Sequence, residues 1–158
     1  MRVGIGFDAH RFTEGRPLVL GGVEIPFSFG LQGHSDADVI IHAIMDAILG
    51  AIAAGDIGQH FPDTDEQFRD ISSLNLLSKV AGLLSKKQFQ IGNIDCVALL
   101  EKPKLSPFRE QMREKISATL SIDKDNVSVK ASTTEGLGFS GRGEGIAAYA
   151  VALVKKAD

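Results

Sequence analysis

The sequence is poor in thiols: Cys96 is the single cysteine among 158 residues. One thiol forms no intramolecular disulfide. Its place in the alternating run NIDCVALL marks it as a small core-facing residue of a reducing compartment, which leaves no redox role for it. An excess of one charge is also missing. Seventeen Lys and Arg stand against twenty Asp and Glu, a formal net charge of -3. There is thus no basic stripe for nucleic acid and no acidic tail, and any phosphate must be met by local groups. Long apolar runs are lacking too: VIIHAIMDAILGAIAA is interrupted by His42 and Asp46 and is too polar and short to span a bilayer. The first residues, MRVGIGF, pass directly into strand-like alternation without the basic, apolar and small-residue order of an export signal. The expectation is a soluble, cytoplasmic protein that partners neither nucleic acid nor membrane. With no repeat and no linker, residues 1–158 read as one domain, burying about two-thirds of the surface the unfolded chain exposes.

What the sequence does contain is imidazole and carboxylate, concentrated early. His10, His34, His42 and His60 are all the histidines, and they lie in the first 60 residues among Asp8, Asp36, Asp38, Asp46 and Asp56. In the opening strand Val3, Ile5 and Phe7 alternate with Gly4, Gly6 and Asp8, so Asp8 and His10 share the face opposite the apolar one. PLVLGGVEIP reads as a β-hairpin about a Gly-Gly turn. HSDADVIIHAIMDAILGAIAAGD follows as a helix with Ser35 as N-cap and Gly55 as terminator. On it Ile40, Ile44, Ala47, Ile48 and Ala51 repeat at helical spacing, while Asp38, His42 and Asp46 form an i, i+4, i+8 line.

IGQHFPDTDE is acidic and turn-rich and reads as a loop. SSLNLLSKVAGLLSKKQ is a second helix, amphipathic, accounted for by core packing. IGNIDCVALLE is a strand, and KPKLSPFREQMREKISATL a third helix with Ser106 as cap and Pro107 at its first position. NVSVKAST is a strand, TTEGLGFSGRGEG a loop with five glycines, and IAAYAVALVKK a closing strand whose unbroken apolarity predicts a central position. The fold class that results is α+β: a mixed β-sheet with three helices packed on one face, plus the small hairpin.

Taken by itself, Asp8-x-His10 on a strand is more often a solvent-facing pair than a metal site. His42 adds a third donor, on a helix where a hydrogen-bonded core histidine is the plain alternative, with Asp46 or Asp38 placed to hold the ring nitrogen that faces away from a metal. Two imidazoles and one carboxylate are the ligand set of a zinc ion that keeps a position open for substrate. KASTTEGLGFSGRGEG suits close backbone approach to phosphate oxygens, or is simply a flexible connector. Glu135 next to Thr133 and Thr134 is a hard oxygen ligand for magnesium or manganese, or a solvated acid. Lys102 and Lys104 either contact phosphate or flank a turn.

GFDAHRF, GHSDADVIIHAIMDA, GDIGQHFPDTD, EKPKLSPF, VKASTTEGLGF and SGRGEGIA, in this order and end to end, resemble the 2-C-methyl-D-erythritol 2,4-cyclodiphosphate synthases of the non-mevalonate isoprenoid pathway. The resemblance implies a homotrimer with active sites between adjacent subunits. It implies Zn2+ held by Asp8, His10 and His42, and Mg2+ or Mn2+ held with Glu135. His34 and Thr133 would act on the reacting diphosphate. Ser35, Asp56, Ile57 and Gly58 would contact the substrate, as would Phe61, Pro62, Asp63, Thr64 and Asp65, with Phe139 and Arg142 bordering the site. The cytidine diphosphate portion would fall to Leu100, Glu101, Lys102, Pro103, Lys104, Leu105 and Ser106, together with Ala131, Ser132 and Thr133. Arg142 and Glu144 resemble residues of a central trimer cavity that takes an isoprenoid diphosphate. Ser132 stands where a threonine is frequent, and Ala37 keeps a small residue between two aspartates. The implied reaction is an intramolecular phosphoryl transfer that releases CMP. The competing readings are a mononuclear zinc hydrolase of a phosphate ester and a non-catalytic nucleotide- or prenyl-diphosphate-binding trimer.

Overall fold

The computed structural model describes residues 1–157. In chain order the elements are β1 Arg2–Thr13, β2 Leu18–Leu20, β3 Val23–Ile25, β4 Gly30–Leu31, α1 Val39–Ala51, α2 Ile57–His60, α3 Ser73–Lys86, β5 Phe89–Leu99, α4 Arg109–Leu120, β6 Val127–Ser132, α5 Gly138–Gly141 and β7 Gly145–Lys156. A five-stranded sheet runs in the order β4-β1-β7-β5-β6, with the hairpin β2-β3 apart from it. Only β5 and β6 pair in parallel; the other pairings are antiparallel. The sheet is mixed, and β7, the apolar closing strand, is at its centre. Both hairpin-turn residues, Gly21 and Gly22, have positive φ (58° and 75°), the conformation a two-residue turn requires and glycine adopts without strain.

The three longer helices cover one face: α1 lies on β1 and β7, α3 against β5, and α4 against β6. The alternation of β1 is inverted relative to an ordinary amphipathic strand, because the helix packs on its glycine face. A Cβ on Gly6 would stand 1.9 Å from the Ala43 carbonyl oxygen, and one on Gly4 would stand 2.0 Å from that of Ala47. Backbone therefore meets backbone, which no larger residue at these positions allows. Val3, Ile5 and Phe7 point the other way and are 65, 70 and 49 % exposed, beside Tyr149 at 43 % and Val151 at 42 %. The face of the sheet away from the helices is an open apolar surface.

Boundaries differ from expectation at both ends of α1 and at the start of α4. α1 ends at Ala51 with Ile52 as C-cap, before Gly55, and α4 starts at Arg109 because Ser106–Phe108 form a separate 3-10 turn, so Ser106 is not its cap. α1 begins at Val39 with Asp38, not Ser35, as its N-cap. The Asp38 carboxylate accepts from Ile41 N at 3.1 Å and also from the hairpin amides of Gly21 at 2.9 Å and Gly22 at 2.6 Å, so one side chain closes a helix end and a turn. Burial pushes its carboxyl up to about 6, with Asp36 adding repulsion, while the three amides counteract both. The stretch IGQHFPDTDE, expected as a loop, contains the single turn α2, capped by Asp56 through Gln59 N; the glycine-rich run contains another, α5. One turn is too short to show a hydrophobic period.

Candidate functional site

The close approach of α1 to β1 creates the site. The two run antiparallel, with Gly4 beneath Ala47 and Ala51 and Gly6 beneath Ala43 and Ala47, so the next inward residue of β1, Asp8, meets His42. Asp8 Oδ2 is 2.9 Å from His10 Nε2 and 2.9 Å from His42 Nδ1, and the two nitrogens are 3.2 Å apart. A tetrahedral zinc with bonds of roughly 2.0–2.1 Å places its donors about 3.3 Å from each other, so the three atoms are already spaced as one face of that tetrahedron. Among the described residues this is the one cluster of three such donors. His10 Nδ1 faces the Gln32 carbonyl at 2.7 Å. A carbonyl only accepts, so Nδ1 carries a proton and Nε2 is the nitrogen left to face a metal. Burial opposes the Asp8 charge, but the hydrogen bonds and positive charge that the His10 and His42 rings offer when no metal is bound outweigh it and hold the carboxyl well below the usual carboxylate range. Burial likewise opposes a charged His10, and the Asp8 carboxylate beside it wins, raising that imidazole.

Neither aspartate on the helix line holds the second nitrogen of His42. Nε2 faces Ser35 Oγ at 3.2 Å and Ser73 Oγ at 3.0 Å. Asp38 is turned to the hairpin, and Asp46 accepts from Ile57 N at 2.8 Å, tying α1 to α2. Side-chain line-up along a helix does not determine which neighbour packs against the ring.

A cavity of about 410 Å³ opens beside the triad, and of the expected substrate contacts His34, Ser35, Ile57, Gly58, Phe61, Pro62 and Asp63 line it. Asp56, Thr64 and Asp65 do not; Asp56 caps α2, and Asp65 caps a 3-10 turn through Gln67 N while its carbonyl faces His34 Nε2 at 3.0 Å. Met45, Phe68 and Leu76 complete the wall. In the sequence they read only as apolar residues, Met45 and Leu76 at helical spacing, with nothing to separate them from the core. His60, adjacent, donates to the Ala54 carbonyl at 2.8 Å.

A second hollow of about 220 Å³ is lined by Leu100, Glu101, Pro103, Lys104, Leu105, Ser106, Ala131, Ser132 and Thr133, with Arg109 added from the start of α4. Lys102 instead borders a groove with Phe12, Phe27, Phe29 and Arg142. Glu101 Oε1 accepts from Thr134 N and Gly136 N, fixing the glycine-rich loop, and Thr133 Oγ1 donates to Glu135 at 2.7 Å. Arg142 pairs with Glu144 at 2.7 Å and, like Phe139, lies away from the triad cavity. The two hollows share no residue. Asp8, Ala148, Ala98 and Ala131 form one row across four strands, and three inter-strand steps amount to roughly 14 Å.

A family model described as the YgbB family matches residues 1–155 of the chain. The chain belongs to the YgbB family. A relative from Pelotomaculum thermopropionicum, named 2-C-methyl-D-erythritol 2,4-cyclodiphosphate synthase, is 61 % identical over 156 residues, covering 99 % of this chain and 96 % of its own. One of the same name from Bacillus subtilis is 54 % identical, covering 98 % of each chain. Among solved structures, the bifunctional IspDF of Campylobacter jejuni superposes with a TM-score of 0.96 at 44 % identity, over 99 % of this chain and 42 % of that longer one. IspF of Plasmodium falciparum, a CDP complex, gives 0.87 at 36 % identity over 99 % and 97 % of the two chains. Among the described residues no helix is long and apolar enough to cross a membrane.

Proposed function

We infer that this enzyme is a phosphorus-oxygen lyase converting 4-diphosphocytidyl-2-C-methyl-D-erythritol 2-phosphate to 2-C-methyl-D-erythritol 2,4-cyclodiphosphate and CMP. The observation that carries the reading is the Asp8–His10–His42 triad at zinc spacing on the wall of a cavity, in a chain 61 % identical to a relative of that name. A 2-phosphate oxygen attacks the β-phosphorus of the same molecule; the new P–O bond closes the ring, and the bond from that phosphorus to the bridging oxygen breaks, leaving the electron pair on CMP. No side chain needs to become a nucleophile. The protein must bend a polyanion back on itself, so positioning and charge neutralisation supply the rate.

Asp8, His10 and His42 would hold Zn2+, and Glu135, beside Thr133, would hold Mg2+ or Mn2+; when bound, these ions supply Lewis-acid stabilisation of charge on the diphosphate. His34, held over the cavity by its contact with the Asp65 carbonyl, donates to the diphosphate. Ile57, Phe61 and Leu76 offer apolar wall to the methylerythritol carbons and exclude water. The hollow of Leu100–Ser106 and Ala131–Thr133 takes the cytidine, with Lys104 on its phosphate.

One chain holds the two hollows too far apart to grip one diphosphate, which supports a homotrimer whose sites combine the triad of one subunit with the cytidine hollow of the next. The open apolar face bearing Val3, Ile5, Phe7, Tyr149 and Val151 supports the same assembly, since an uncovered sheet face of this kind marks an interface. The enzyme works in the cytoplasm, in keeping with a buried lone Cys96 whose thiol burial pushes up to about 12. Incubating the purified protein with the cytidyl substrate, with and without chelator, tests the reaction. Phosphorus NMR should show a ring diphosphate and CMP, abolished by chelation; ring-opened phosphates would instead identify a hydrolase.

A further inference from the structure

We propose that Asp36 and Ser73 are positioning residues that lock His42 in its Nε2–H tautomer and thereby present Nδ1 to the metal. The proposal rests on the zinc reading of the triad. Two hydroxyls face His42 Nε2, and only one of them is fully determined. Ser73 Oγ gives its hydrogen to Asp36 Oδ1, because a carboxylate accepts and cannot donate, and Ser73 N donates to Asp36 Oδ2 at 2.9 Å. With its hydrogen spent on Asp36, Ser73 Oγ has only lone pairs to turn toward His42 Nε2 at 3.0 Å, so that nitrogen must be the N–H. The ring nitrogen left to a metal is then Nδ1, the one 2.9 Å from Asp8 and 3.2 Å from His10 Nε2. Ser35 Oγ, 3.2 Å from Nε2, accepts from Ala37 N but keeps a free hydrogen and imposes no tautomer by itself.

The pair is mechanically well anchored. Ser73 is the first residue of α3 and has 0 % exposure. Ser72, the N-cap, makes no side-chain capping bond, and Asp36 satisfies the Ser73 amide from a different segment. Asp36 Oδ1 also accepts from Asp38 N at 3.1 Å, and Asp36 N donates to the Ile71 carbonyl at 3.1 Å. The carboxylate is thus fixed by both the loop entering α1 and the start of α3. A ligand imidazole held through its far nitrogen loses rotational and tautomeric freedom, and removal of such a partner costs about 10–100-fold in metal affinity. In the sequence Ser73 reads only as an ordinary helix start; its partner is 37 residues away.

Two readouts test the chain of contacts. Long-range proton–nitrogen NMR of the zinc-loaded, full-length protein should show the His42 ring protonated at Nε2 and ligated through Nδ1. Zinc affinity measured by chelator competition should fall about 10–100-fold in Ser73→Ala and by a smaller factor in Asp36→Asn, which keeps the hydroxyl but frees its rotor. Circular dichroism checks that each variant is folded. If Ser73→Ala does not fold, the wild-type spectrum and Asp36→Asn decide. Ligation of His42 through Nε2 in the zinc-loaded wild type, or folded variants with unchanged zinc affinity, overturns the proposal while leaving the metal reading intact. A wild-type chain that takes up no zinc overturns both.

Discussion

Asp8, His10 and His42 sit where strand and helix backbones touch, each donor atom within 4.8 Å of the other two, and the far nitrogens of both rings are held by other groups. Thr133 and Glu135 sit at an exposed loop, where Glu135 has φ +54° and Gly136 and Gly138 have φ +78° and +69° with nothing near their Cα on the side a Cβ would occupy. The first region is assembled by folding alone. The second is an open surface, which the proposed function completes with a ligand or a neighbouring subunit. A catalytic ion needs donors arranged before it binds, whereas a nucleotide brings enough contact area to organise a loop around itself.

The largest effect expected from breaking this contrast is on the triad. His42→Ala should abolish stoichiometric zinc, read by metal analysis, and lower turnover by roughly a thousandfold, the several kcal/mol that a bound Lewis acid contributes. Retention of one zinc per chain would remove His42 from the ligand set. Next comes the backbone contact that builds the triad. Gly6→Ala places a methyl group 1.9 Å from the Ala43 oxygen and should cost about 3 kcal/mol or more in denaturant unfolding, with loss of metal. Gly138→Ala has open space and only a left-handed backbone to tolerate, so about 1 kcal/mol is expected there. Equal costs at the two glycines would erase the distinction between a preassembled and an open region.

At the exposed loop, Glu135→Ala should leave zinc content and melting temperature unchanged, within about 0.5 kcal/mol, while turnover at fixed magnesium falls roughly a hundredfold. A variant with undiminished magnesium dependence would take Glu135 out of the second metal site. The smallest effect concerns Asp38. Its carboxyl is raised from 3.8 to about 6 by burial, so the folded state binds the proton more tightly. The corresponding stability is present at low pH and lost as pH rises through about 6. Relative to Asp38→Asn, which does not titrate, the chelator-treated wild type should lose about 1 kcal/mol between pH 5 and pH 7 in denaturation midpoints converted to free energies. A constant gap across that range would mean the three amides cancel the cost of burial.

Local chemistry made much of this legible. The Gly21–Gly22 turn, the cores of α1 and α3 and the central position of β7 follow from short-range period and composition. The single turns α2 and α5 did not announce themselves, since four residues cannot display a period. The three metal-type donors were readable as residue types, but their partners were not. Asp38 and Asp46 lie one turn from His42 in sequence, yet the ring's far nitrogen goes to Ser35 and Ser73, because α3 packs where the aspartates do not reach.

Sequence by itself determined the longer elements and the chemical inventory: which long stretches become strands and helices, and that acid and imidazole cluster near the amino end. Tertiary structure alone decided which face of β1 turns inward, which hydroxyls face His42, and that the triad and the second hollow stand three strands apart. The reason is range. Backbone preference and hydrophobic period act over a few neighbouring residues, while the touching of Gly6 and Ala43, or of Asp36 and Ser73, joins residues 37 apart in the chain and exists only once the helices have packed on the sheet.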